Sequence, residues 1–142
     1  MDSPLLAASN PKNEMVCEAT TARARAGGVR QTMIVEFVEF RHKPGQSREE
    51  ILDDARATVP KWRGNSELVR KHYVTGENDM GGAFYLWPSR EAAERGHDSA
   101  WRAGVEKRTG APPVIRYFDL FMLIDNAAGS VTEFPPGAPW PA

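Results

Sequence analysis

The sequence predicts an α+β fold of the ferredoxin-like type, β-α-β-β-α-β, with a four-stranded antiparallel sheet and both helices on one face. Three observations carry this. Four segments are rich in β-formers, two segments open with helix-capping residues and continue at helical spacing, and their order along the chain is strand, helix, strand, strand, helix, strand. With 142 residues the chain suits one domain built around one core.

Met33–Phe40 (MIVEFVEF) is the first strand, with Glu36 and Glu39 on opposite faces. Pro44-Gly45 punctuates the turn after it. Ser47-Arg-Glu-Glu50 is a capping box, in which the Ser hydroxyl and the Glu carboxylate each satisfy an orphan backbone N–H. Ile51, Leu52, Ala55 and Val59 follow as one apolar stripe, and Pro60 is expected to end or kink the helix. Glu67–Val74 is the second strand, with Leu68, Arg70, His72 and Val74 on one face and Val69, Lys71 and Tyr73 on the other. Turn chemistry from Gly76 to Gly82 makes a hairpin into the third strand, Ala83–Trp87. Ser89 caps the second helix, which runs to Lys107-Arg108 with a break near Gly96, where Asp98 caps the following piece. Gly110 and Pro112-Pro113 stop it, and Val114–Ile124 (VIRYFDLFMLI) is the last strand.

That last strand is apolar on both faces, and a strand of that kind needs both sides covered. Two helices cover one face of the sheet. A homodimer joined sheet to sheet is the expected cover for the other. The domain is thus expected over residues 32–126. It is preceded by a solvated arm, 1–31, without aromatic residues and with Arg23, Arg25 and Arg30 offset by acidic groups. A Pro-rich tail, 127–142, follows, with Trp140 as an anchor.

Composition excludes several function classes. A net charge of −1 offers no global attraction to nucleic acid or to an anionic membrane surface. No apolar run approaches the length of a membrane span. The start, MDSPLLAAS, lacks the features of a secretory signal, and the single Cys17 makes no internal disulfide, so a cytoplasmic protein is expected. His42, His72 and His97 are scattered without ligand spacing, and no metal is expected. Gly81-Gly82 belongs to a hairpin rather than to a phosphate-binding turn, and there is no nucleophile elbow.

The strings LVRKHYV, GGAFYLWPSREAA, WRAGVEKRTG and IRYFDL, followed by IDN, resemble the YdhR-like branch of the monooxygenases in the dimeric α/β-barrel superfamily, over residues 33–126. The resemblance implies a homodimer whose two sheets form a barrel, with a cavity in each subunit between sheet and helices. It also implies oxygenation of a quinol-like aromatic without metal, flavin or haem, so no cofactor is expected. Haem-degrading relatives use a histidine with nearby Asn and Trp residues, and this sequence has no convincing match to that trio.

On this reading His72 or Tyr85 takes a phenolic proton and Arg70 stabilises the resulting anion, the alternative for His72 being a satisfied sheet histidine. Tyr85 presents a hydroxyl to a planar ligand that Trp87 flanks, unless both are core aromatics. Trp101 walls the cavity from the second helix, or is plain core. Trp62 closes the cavity mouth near the start of the second strand, or packs on the surface. Tyr117 and Asp119 share a face of the last strand, where a carboxylate needs a partner. Two functions follow: a cofactor-independent monooxygenase of a small aromatic ligand, or a dimeric small-ligand-binding or stress-associated protein without turnover.

Overall fold

The computed structural model describes residues 32–137, together with the backbone of a two-residue strand, β1 (Thr20–Thr21). The rest of the N-terminal arm and the anchor Trp140 lie outside the described residues. The main elements are β2 (Ile34–Arg41), α1 (Arg48–Arg63), β3 (Arg70–Thr75), β4 (Met80–Trp87), α2 (Arg90–Gly96), α3 (Ser99–Thr109) and β5 (Val114–Asp119). They form an antiparallel sheet in the order β3-β4-β2-β5. This is the ferredoxin-like fold. A hairpin of β6 (Met122–Asp125) and β7 (Ser130–Glu133), with β1 parallel to β7, makes a second small sheet. It straddles the expected boundary at residue 126.

The helix starts form as the sequence dictates. At α1 the Ser47 hydroxyl accepts from Glu50 N, and the Glu50 carboxylate accepts from Ser47 N at 2.7 Å. Ser89 accepts from Ala92 N at 3.1 Å. The break between α2 and α3 falls at His97-Asp98, where Asp98 Oδ1 accepts from Trp101 N at 2.8 Å. Asp98→Ala should therefore cost about 1 kcal/mol of stability, read as a lower melting temperature, because the first turn of α3 loses its acceptor.

Alternation decides the faces. In β2, Ile34, Glu36 and Val38 are buried, and register places Glu36 between Tyr85 of β4 and Tyr117 of β5. The core lies between this face and the helices: Ile34, Val38, Trp62, Ala83, Tyr85, Trp87, Ala92 and Ala93. The opposite face carries Phe37 stacked on Phe84 with ring centroids 4.5 Å apart, beside Val114 and Phe118.

Three local expectations change. Helix α1 does not end at Pro60 but runs on to Arg63, closed by Gly64 N–H donating to Pro60 O at 3.1 Å. A proline one turn from the end forfeits one helical hydrogen bond, and buried Trp62 holds the last turn on the sheet. The apolar run Val114–Ile124 is not one strand. Leu120 N–H donates to Met33 O, ending the main sheet, while Phe134 N–H donates to Phe121 O, beginning the small one. Gly81-Gly82 lies inside β4 rather than in the turn, which is made by Asn78 and Asp79 at φ 54° and 58°. At Gly82 φ is 153°, and a Cβ there would collide with the carbonyl oxygen of Val38.

Candidate functional site

A cavity of about 470 Å3 opens between α1 and the sheet, reaching the end of α3 and the loop from β2 into α1. Its apolar wall includes Phe40, Ile51, Leu52, Trp62 and Trp101, and its polar wall includes His42, Thr58, Lys71, Tyr73, Tyr85 and Arg108. Register explains the sheet contribution: Lys71 of β3 is directly paired with Tyr85 of β4, and Tyr73 with Ala83, so these side chains share the helix-facing side. Trp62 arrives from the last turn of α1 and meets Tyr85 edge-on, with centroids 5.2 Å apart.

Lys71 is the unusual group. Its ammonium sits 4.0 Å from the ring centroid of Tyr73, 4.4 Å from that of Trp62 and 4.7 Å from that of Tyr85. Three ring faces replace part of its water shell. Among the described residues no carboxylate pairs with it. Burial, with repulsion from Lys61 and Arg108, pulls its pKa down to about 7. An amine there is available as a base at neutral pH.

Tyr85 is buried, and burial followed by the field of Glu36 raises its phenol well above the ordinary value, so it stays protonated and can donate a hydrogen bond but does not act as a base. Tyr73 Oη and Thr58 Oγ1 share a 2.6 Å hydrogen bond across the cavity wall. His42 has its pKa lowered, first by burial, against the opposing pull of Asp54 and Asp79. Its Nε2 is buried without a hydrogen-bond partner, and its ring lies where a side chain at Gly81 would be. The ring thus faces the Gly81 backbone, and it contributes to the cavity wall as a packed imidazole rather than through its Nε2.

Behind this wall lies a polar seam. Trp87, Glu36 and His97 are completely or almost completely buried. Trp87 Nε1 donates to Glu36 Oε1 at 3.0 Å. His97 Nδ1 stands 2.8 Å from the same oxygen without the alignment of a hydrogen bond. His97 packs against Trp101, with centroids 4.0 Å apart, and edge-on against Tyr85 at 4.6 Å. Tyr117 lies opposite Glu36 in register, and its phenol is raised by burial and by that carboxylate.

Of the residues that the sequence nominates, Tyr85, Trp62 and Trp101 line the cavity. Trp87 stacks parallel to Tyr85 but sits behind it, in the seam. His72 and Arg70 do not reach the cavity: they are exposed on the opposite sheet face, where His72 pairs with Phe84. Arg70 points toward Asp125 at 3.9 Å. Asp119 accepts from the Gly137 backbone N–H at 3.2 Å, which gives it the partner that its strand position demands. Lys71, His42, Arg108, Glu36 and His97 are absent from the sequence nominations. Alternation already separates Lys71 and Tyr73 from Arg70 and His72, but each face holds one cation, so pattern cannot say which face meets the helices. Glu36 had a signal, a charge flanked at i±2 by Ile34 and Val38.

No family model and no curated protein matches the chain. Solved structures do resemble it. A protein of unknown function from Nitrosomonas europaea superposes with a TM-score of 0.53 at 19% identity, covering 64% of this chain and 91% of that one. A monooxygenase of Streptomyces coelicolor in complex with nanaomycin D gives 0.51 at 17% identity, covering 66% and 91%. A protein from Shewanella oneidensis gives 0.50 at 12% identity, covering 66% and 95%. The likeness is one of fold. It does not single out the YdhR-like branch, and it leaves substrate and reaction to the chemistry of the site. Among the described residues, no helix is long and apolar enough to cross a membrane, and no cluster of three His, Cys, Asp or Glu side chains is placed to hold a metal ion.

Proposed function

We propose that the cavity binds a planar phenol with hydrogen on its para carbon and oxygenates it with dioxygen, Lys71 taking the phenolic proton. The observation that carries this is the Lys71 amine, unpaired among the described residues and set over the faces of Trp62, Tyr73 and Tyr85 at the wall of a cavity of ligand size. The ring faces accept a flat aromatic by stacking or edge contact, and the amine takes its proton at neutral pH. The resulting phenolate is electron-rich enough to reduce dioxygen by one electron. Recombination of the two radicals forms a C–O bond at the para carbon. Loss of water from that hydroperoxide breaks the O–O bond, removes the ring C–H as a proton and leaves a quinone. The substrate supplies all four electrons: one oxygen atom enters the product and the other leaves as water, its second proton returned by the Lys71 ammonium.

Tyr85, kept protonated by burial, donates a hydrogen bond to the substrate oxygen. Lys71 takes the part assigned from sequence to His72 or Tyr85, since His72 faces the other way and Tyr85 stays protonated. The test uses 1-naphthol and anthrone under 18O2. The expected product is a quinone carrying one labelled oxygen, with one dioxygen consumed per product formed above the uncatalysed background. Binding of these probes without oxygen consumption would assign the cavity to ligand binding alone.

We also infer that the free sheet face is covered by a second copy of the chain. Phe84 and Phe118 are 40% and 49% exposed there, too much flat aromatic surface for an isolated domain face, and the Glu39–Arg116 pair at 3.3 Å supplies a polar rim. Exposed His72 and Arg70 lie on this same face. Phe118→Glu is expected to convert a dimer into a monomer in native mass spectrometry; a monomeric parent protein would remove the inference.

A further inference from the structure

We propose that the natural ligand of this cavity is an aromatic carboxylate, selected by unpaired cations in the cavity wall and anchored through its carboxylate at Arg108. This rests on the reading of the cavity as an aromatic-ligand site. Its wall carries Arg41, Lys43, Arg48, Lys71 and Arg108 against a single carboxylate, Asp54. That carboxylate is engaged, accepting from the Gln46 side-chain amide at 2.6 Å. Among the described residues the lysines and arginines that form ion pairs are Arg56, Arg70, Arg90, Arg95 and Arg116, and none of them lines the cavity. The cations that do line it form none. Arg41, Lys43, Arg48 and Arg108 are exposed at the rim of the cavity and only Lys71 is partly buried in it, so in a chain of net charge −1 these cations without ion-pair partners bias the cavity mouth toward anions.

Arg108 is the natural anchor. Its guanidinium packs over Phe40, 5.6 Å from the ring centroid, and the His42 ring meets the same phenylalanine edge-on at 5.5 Å. Its positive charge is felt at His42, at Lys71 and at Tyr85, three of the polar groups of the wall. A guanidinium offers a planar fork that matches a carboxylate in two parallel hydrogen bonds. An aromatic carboxylate therefore satisfies both halves of the cavity, its ring against Trp62, Tyr85 and Trp101 and its carboxylate at Arg108.

Quenching of tryptophan fluorescence measures binding without turnover, with 1-hydroxy-2-naphthoate and 1-naphthol as probes. The carboxylate is expected to bind about tenfold tighter or more, the scale of one charge-assisted contact pair. That preference should shrink as salt is raised from about 0.02 to 0.5 M, because the field is screened. Arg108→Gln should remove most of the preference, while Lys107→Gln, the same charge change on the same helix away from the cavity, should keep it. Equal affinities for the two probes, a preference insensitive to salt, or binding of neither probe would overturn the inference, as would an unchanged preference in Arg108→Gln. Carboxylate preference without oxygen uptake would overturn the oxygenase reading alone. Oxygen uptake without the preference would overturn this inference alone.

Discussion

Lys71→Met is expected to lower the rate of dioxygen uptake by about 10²–10⁴-fold, the usual worth of a positioned general base. Methionine keeps much of the side-chain length and packs against Trp62, Tyr73 and Tyr85 without a proton acceptor. Binding of a neutral aromatic should therefore survive where turnover does not, and Lys71→Arg should fail equally, since a guanidinium does not deprotonate. The pH profile gives a second readout. A lysine whose folded pKa is depressed is charged below that pKa and neutral above it. The kcat/KM of the parent protein should therefore rise through about pH 7, as Lys71 loses its proton, and then level off. Arg108 is one of the charges that hold the pKa down, so Arg108→Gln should move this rise to higher pH. A pH-independent rate, or a Lys71→Met protein of unchanged activity, would remove Lys71 from the mechanism.

Trp87→Ala is expected to destabilise the fold by about 4 kcal/mol, lowering the melting temperature by about 10 °C or more. Trp87 is fully buried, and its removal leaves a cavity at the end of β4, beside Tyr85. It also strips the buried Glu36 carboxylate of the indole N–H that donates to it at 3.0 Å. Trp87→Phe separates the two effects: it keeps most of the volume and loses the hydrogen bond, for a cost of about 2 kcal/mol. Because Trp87 does not line the cavity, the Phe variant should retain ligand binding. Calorimetry of the pair checks both, and a Trp87→Ala protein as stable as its parent would mean that the seam contributes nothing to stability.

The contrast between Trp87 and Lys71 shows where reading the sequence stops. Both lie on strands whose existence was plain from β-rich runs bounded by turn residues, and both could be assigned to a face by alternation. Trp87 reads as a ligand-flanking aromatic because it shares a face with Tyr85, and it does share that face. What alternation omits is depth: the cavity reaches Tyr85 and stops short of Trp87, because the cavity is bounded by α1 and the β2–α1 loop toward the far end of the strand. Arg70 and His72 were attractive because histidine and arginine are chemically versatile. The face opposite theirs holds Tyr73 and Lys71, and the decision between them belongs to the neighbouring strand, where Tyr85 rather than Phe84 meets the helices. His97 reads as part of a helix break, and so it is, but the break also turns its ring inward against Tyr85 and Trp101.

By itself the sequence determined the order of elements, the helix starts and the ferredoxin-like class, because capping boxes, strand alternation and glycine-proline punctuation act over a few neighbouring residues. It determined as well that Tyr85, Trp62 and Trp101 are candidates for one cavity. Only the tertiary structure decided which sheet face the helices cover, that α1 carries Trp62 past Pro60, and that Leu120 leaves one sheet just before Phe121 enters another. Only it brought Lys71, His42 and Arg108, from a strand, a loop and a helix end, to one cavity wall. The physical reason is the same in each case. Burial and the field at a charged group depend on what packs against them from elsewhere in the chain, and no local pattern encodes that.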